Sequence, residues 1–271
     1  MVKNKRHSDK ITTYNELPLK IKSEIIGLIS FRTVALIGYN ENHIRISNLL
    51  ASGTFTTINS KYGVLTAKHV WDKFKKKAFN ISFSFLGKTH YTYERIEYLN
   101  CYAPENDKID VCFIELSPRI LGTIKAASDF YPILSESYSE SINIRKRLCI
   151  TVGFPLEIQP RKENKIHILR YFTHIKQHYN LSKDWDRIEL DIQENDKQKE
   201  LPENFGGMSG GGIWSIKGFY NEKGFFIRKN TIDFLLVGVN YFQKTSNGKV
   251  HTIYGIGPKT IYSRMTKLIS K

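Results

Sequence analysis

No run of eighteen or more apolar residues occurs in this chain, and that absence excludes a membrane-spanning helix by composition. An apolar core is also missing behind the basic opening Met1-Val2-Lys3-Asn4-Lys5-Arg6-His7, so the N-terminus does not read as a secretory signal. Cysteine is scarce. Cys101, Cys112 and Cys149 are three, an odd number with no Cys-x-x-Cys spacing, which argues against a disulfide framework. Cys112 and Cys149 lie in apolar stretches and read as buried thiols that behave as small hydrophobes. These absences point to a reducing compartment, and the expected location is the cytoplasm.

Negative charge is in short supply as well. Lys and Arg number 41 against 26 Asp and Glu, a formal net charge of +15. Two readings of this excess stand side by side: guidance of an anionic partner such as nucleic acid or an acidic protein, or a lysine-rich solvated surface with no partner implied. The sequence shows no RNA-binding signature, zinc finger or helix-turn-helix. The densest run, Lys73-Phe74-Lys75-Lys76-Lys77, reads as a solvated helical turn that also lies close to His69.

What the chain does have is enough apolar material for a core, with 41% hydrophobic and 13% aromatic residues over 271 positions. Between Tyr14 and Ser30, Leu17, Leu19, Ile21, Ile25, Ile26 and Ile29 recur at mostly helical spacing, with Asn15 as a candidate cap. Strand patterns follow at 33–38, 44–50, 53–58, 64–66, 79–85, 91–98 and 110–116, and Ser117-Pro118 breaks the series. Residues 117 to about 145 read as a connection. Further strands are expected at 148–153, 167–174, 187–192, 225–227, 234–239 and 252–257, and then a helix over 258–269. The expected class is all-β.

Three short motifs carry chemistry. Asn204-Phe205-Gly206-Gly207-Met208-Ser209-Gly210-Gly211-Gly212 wraps a serine in glycines, which permit φ > 0 and close approach of a carbonyl to the backbone. Alone, such a run is equally a flexible loop or an anion-binding nest. Upstream, Leu65-Thr66-Ala67-Lys68-His69-Val70 ends one apolar stretch and Asp110-Val111-Cys112-Phe113-Ile114-Glu115-Leu116 opens another. Taken in order, His69, Asp110 and Ser209 with their flanks resemble the chymotrypsin/trypsin-like serine peptidases, and most nearly their disulfide-free bacterial branch. Subtilisin-like and α/β-hydrolase triads run in other chain orders. Gly153-Phe154-Pro155 at a strand end adds to the likeness, which covers residues 32 to 260.

The resemblance implies two packed six-stranded antiparallel β-barrels with an N-terminal and a C-terminal helix. Residues 1–30 would form an arm and helix, 31–135 the first barrel with His69 and Asp110, and 136–271 the second with Ser209. It implies His69 as general base, Asp110 as its orienting partner and Ser209 as nucleophile. The N–H groups of Gly207 and Ser209 would form the oxyanion hole. Met208 replaces the aspartate that zymogen-type relatives carry, so control by that charged switch is excluded, and the enzyme would either fold active or be controlled by something else, such as an activating partner or a moving loop. No cofactor is implied. The partner would be a protein or peptide substrate, and the alternative is an inactive peptidase-like scaffold binding nucleic acid or protein through its basic surface.

Substrate-binding candidates are Glu203, Asn240 and Tyr241. Glu203 either lies at the base of the primary specificity pocket, favouring Lys or Arg, or sits exposed beside Pro202. Asn240 and Tyr241 lie on the segment resembling the pocket wall, where Tyr241 either narrows the pocket or packs as a strand aromatic. His174 and His178 are spaced as a helical metal pair, with His167 nearby, but their surroundings read as strand and loop, and no metal site is expected. A positional-scanning peptide library tests Glu203: a pocket role gives a Lys/Arg preference that disappears in Glu203→Gln, and an exposed Glu203 leaves the profile unchanged.

Overall fold

A computed structural model of the chain describes residues 19–40, 43–76, 80–86, 91–135, 148–155, 161–162, 165–166, 171–181, 185–192, 206–216, 219–221, 224–226, 234–246 and 249–270. The structure is mostly β, 48% strand, with few helices. Helix α1 (Leu19–Ser30) leads into β1 (Thr33–Asn40), β2 (His43–Ile58) and β3 (Lys61–Thr66), followed by α2 (Lys68–Lys76). Next come β4 (Asn80–Leu86), β5 (Tyr91–Arg95), β6 (Tyr98–Tyr102), β7 (Cys112–Leu116), α3 (Pro118–Ala127) and β8 (Tyr131–Ile133). These strands make one eight-stranded sheet in the order β5-β4-β1-β2-β3-β7-β6, with β8 paired parallel to β2.

The remaining strands are β9 (Leu148–Gly153), β10 (Arg161–Lys162), β11 (Lys165–Ile166), β12 (Tyr171–Leu181), β13 (Asp186–Ile192), β14 (Gly212–Ile216), β15 (Phe219–Asn221), β16 (Gly224–Phe226), β17 (Phe234–Ser246) and β18 (Lys249–Ile256). Six of them close into an antiparallel barrel, β12-β13-β18-β17-β14-β9. Strand order thus gives a closed six-stranded barrel in one half and an eight-stranded sheet in the other. The expected boundary between halves falls beside residues 136–147, outside the described residues.

Alternation along the barrel strands separates two apolar layers. Cys149, Ile188, Leu190, Ile213, Leu235, Val237 and Ile253 cluster with Met208, and because they come from five barrel strands they fill the barrel. Their neighbours Ile150, Val152, Trp214, Ile216, Leu236, Val239 and Ile256 join a larger cluster with Leu65, Ile109, Val111 and Phe113 of the first sheet. Ile25 and Ile29 of α1 and Ile261, Tyr262, Met265 and Ile269 of the C-terminal helix complete it. One continuous core therefore holds both sheets and both terminal helices, which places α1 in the joint between the halves.

Several elements differ from the sequence expectations. Strand β2 runs unbroken through Ala51 and Ser52, because these small residues let neighbouring backbone approach while the ladder to β1 continues (Ala35 opposite Ser52). Ser117-Pro118 starts a helix rather than a loop. Ser117 accepts the Arg119 N–H as N-cap and Pro118 occupies the first turn, where no donor is needed. Ile120 and Ile124 of α3 are buried, with Phe130, in the core between the first sheet and α2. The stretch expected as a single strand over 91–98 divides into β5 and β6. Residues 14–18 with the Asn15 cap, and 167–170 with His167, lie outside the described residues. His174 and His178 both fall on β12, on a strand and not on a helix.

The C-terminal helix begins with a π-helical segment, Thr260–Met265, and ends as α4 (Thr266–Ile269). Its leading donors are met by Asp186, which is fully buried. The Asp186 carboxylate accepts Lys259 N–H at 2.7 Å, Thr260 N–H at 2.8 Å and Thr260 Oγ1–H at 2.8 Å. The anion thus satisfies amides at the positive end of the helix, as a capping residue would. Asp186→Ala is expected to strip these amides of their acceptor and to lower unfolding free energy by about 3 kcal/mol, read as a fall in the urea midpoint.

Candidate active site

Strand register brings His69 and Asp110 together. In the antiparallel pair of β3 and β7, Thr66 faces Cys112, so the residues just after Thr66 lie beside those just before Cys112. His69 is the second residue of α2, whose Val70, Trp71 and Phe74 are buried. Asp110 stands between Ile109 and Val111, both fully buried, and this apolar bracket fixes its backbone. The Asp110 carboxylate then takes His69 twice: Oδ2 lies 2.5 Å from His69 Nδ1, and Oδ1 accepts the His69 backbone N–H at 2.8 Å. A two-point hold of this kind sets the ring plane and assigns the Nδ1 proton to the side facing the carboxylate, leaving Nε2 as the free acceptor. The imidazole is 48% exposed and Asp110 20%, so the ring opens to solvent while its partner is screened.

Ser209 sits in a turn closed by Gly211 N–H donating to Met208 O at 2.9 Å. Such a turn needs φ > 0 at its third residue, and Gly210 supplies φ 90°. Gly207, at φ 96°, makes the preceding bend. Three hydrogen bonds from two strands, β17 and β2, clamp the result. Gly210 N–H donates to Asn240 O at 2.7 Å, Asn240 N–H to Gly211 O at 2.9 Å, and Ser52 N–H to Ser209 O at 2.9 Å. A Cβ on Gly210 would stand 2.0 Å from Ser52 O and from Thr66 Oγ1, so only glycine allows the turn to press against β2 and β3.

His69 and Ser209 open into one cleft of about 200 Å³, lined also by Gly206, Met208, Asn240, Tyr241, Phe242, Gln243 and Ile253. Among the described residues, no hydrogen bond occupies Ser209 Oγ, and the N–H groups of Gly207 and Ser209 carry no acceptor. Met208 is 2% exposed and packs into the barrel interior, where its apolar side chain anchors the residue between the two donors.

The substrate-binding candidates fare differently. Glu203 lies outside the described residues. Asn240 is 2% exposed, its amide nitrogen donates to Thr151 Oγ1, and its backbone holds the Ser209 turn. Tyr241 is half-buried at a bulge, since Asn240 faces Gly255 and Phe242 faces Tyr254 with no partner between. A bulge re-aims a side chain at a site rim, and burial pushes the Tyr241 phenol up from its ordinary pKa despite the nearby Arg187, keeping it protonated.

Two contributors were not singled out from sequence, Ser52 and Thr66. Thr66 Oγ1 donates to Ser52 O at 2.8 Å, and Ser52 Oγ donates to Gly207 O at 2.7 Å. The available signal was the small trio Ala51-Ser52-Gly53 inside a strand pattern, a mark of close backbone approach. Cys101 and Cys112 also turn out to be neighbours on β6 and β7, and the hydrogen bond between their thiols, with burial, pushes Cys112 well up.

Gly210→Ala is expected to push the Ser209 turn off Ser52 and Thr66. Stability should fall by about 2–4 kcal/mol, as for overpacked or strained backbone sites, with a matching drop in the thermal midpoint. The chain matches no protein-family model and no curated protein.

Proposed function

We propose that this chain is a serine endopeptidase that cleaves peptide bonds through a His69-Asp110-Ser209 triad and an acyl-enzyme intermediate. The observation that carries the reading is the double hold of Asp110 on His69 at the mouth of the cleft that Ser209 also lines. A serine hydroxyl is a weak nucleophile at neutral pH and needs an oriented base. His69 Nε2 takes the Ser209 proton as Oγ attacks the carbonyl carbon, and the resulting imidazolium is stabilised by Asp110 across Nδ1. The same proton then passes to the departing amine. Water, deprotonated by His69, releases the acyl group.

Negative charge on the carbonyl oxygen would fall to the open N–H groups of Gly207 and Ser209. Loss of one such donor costs about 2.7–4 kcal/mol of transition-state stabilisation. On this reading the molecule is a chymotrypsin-like double barrel in which the eight-stranded sheet serves as the first barrel. An extended substrate has a place to pair: β17 leaves β14 at Val239, its next residue holds the Ser209 turn, and Tyr241 to Ser246 pair only with β18 among the described residues. The three thiols are free, in keeping with work in the cytoplasm. With Met208 buried where zymogen-type relatives carry a charge, any control comes from a partner or a loop.

A fluorophosphonate probe tests the assignment. Wild-type protein should label, Ser209→Ala should not, and Asp110→Asn should lower turnover about 10⁴-fold by presenting the wrong tautomer. Wild-type protein that never labels, alone or with candidate activating proteins, would falsify the peptidase reading.

A further inference from the structure

Ser52 is wholly buried on β2, far in sequence from Ser209, yet each of its polar groups ends on machinery around that residue. Its backbone N–H donates to Ser209 O at 2.9 Å. Its carbonyl accepts Thr66 Oγ1–H at 2.8 Å, from the strand that delivers His69 three residues later. Its hydroxyl lies 2.7 Å from Gly207 O and 2.9 Å from Phe154 N. The direction of the hydroxyl hydrogen follows from its neighbours. The Phe154 amide can only donate and the Gly207 carbonyl can only accept, so Ser52 Oγ accepts from the first and donates to the second.

We infer that Ser52 is the positioning residue for the oxyanion donors, holding Gly207 and Ser209 so that their N–H groups face the cleft; this rests on the peptidase reading above. A peptide unit turns as a plane, so a carbonyl that is bound cannot rotate into the site. Three successive carbonyls are bound here: Gly207 O by Ser52 Oγ, Met208 O by Gly211 N–H and Ser209 O by Ser52 N–H. Ser52 supplies the outer two. The plane carrying the Ser209 N–H is thus flanked by two planes tied to the same residue. Gly207, whose φ of 96° makes it the most pliant member of the turn, has its carbonyl fixed by the hydroxyl. Through Thr66 the same residue ties this arrangement to the strand bearing the base, so nucleophile, donors and base share one reference point.

Kinetics with matched ester and thionoester substrates test the role. Sulfur accepts hydrogen bonds poorly, so an oxyanion hole that is well aimed favours the oxygen ester, and a purely structural defect slows both alike. Ser52→Ala is expected to slow fluorophosphonate labelling and ester turnover by about 10- to 100-fold, the loss of a donor displaced but still present. Thionoester turnover should fall much less, so the ester-to-thionoester ratio drops. Rates are normalised to the folded fraction by circular dichroism. Ser52→Cys, which keeps a weak donor, should lie between wild type and Ser52→Ala, and it supplies the ratio if the alanine variant does not fold. An unchanged labelling rate, or equal losses on both substrates in a folded variant, overturns the role of Ser52 and leaves the peptidase reading standing. Wild-type protein that does not label overturns the peptidase reading and this inference with it.

Discussion

A Cβ at Gly210 would stand 2.0 Å from the carbonyl oxygen of Ser52 and from Thr66 Oγ1, and the backbone takes up that space instead. Because of this approach, a turn belonging to the closed barrel hydrogen-bonds directly to a strand of the other sheet. Thr66 lies at the end of β3, one residue before the link to α2, so the same contact sets where His69 stands relative to Ser209. The separation of His69 from Ser209 is therefore decided by backbone against backbone. That is a stiffer reference than long side chains reaching across an interface.

The surrounding core explains why the contact holds. Trp214 is fully buried and meets Tyr131 edge-on with ring centres 5.1 Å apart, and Phe234 at 5.5 Å. Arg32, at the end of α1, lies over Phe234 with 5.0 Å between guanidinium and ring centre, and pairs with Asp129. Edge-to-face pairs and a stacked guanidinium each add about a kilocalorie per mole beyond simple burial. Here they also join the segment after α3, the barrel wall and the N-terminal helix into one cluster. The halves are thus not free to slide, and the cleft at their junction inherits that rigidity.

Much of this was legible in the sequence, for physical reasons that differ by element. Strands such as Val34–Ile37 and Ile150–Val152 announced themselves by β-branched runs. His69, Asp110 and Ser209 stood out by residue type and by flanks that resemble one family's order, and the fold sets Asp110 against His69 and opens His69 and Ser209 into one cleft. The helix after Ser117 was missed because proline was taken for a breaker, where a preceding serine makes it a starter. Ser52 was missed for a deeper reason. A buried hydroxyl has no periodicity, and its worth depends on two partners, at residues 154 and 207, that only the fold assembles. The unbroken path of β2 was obscured for the same reason, since Ala51 and Ser52 are weak strand formers that tertiary pairing overrides.

The order of elements along the barrel has a temporal side. Strand β14 leans on β17, the Ser209 turn is tied by Asn240, and β18 closes the ring against β13. Of these strands, β14, β17 and β18 come after Ser209 in the chain, and β13 comes before it. During synthesis the Ser209 turn emerges before the Asn240 backbone that ties Gly210 and Gly211, and the ring cannot close until β18 is available. The turn around Ser209 is thereby held only once β17 has followed it, and the barrel that carries it closes only with β18, a delay written into the topology.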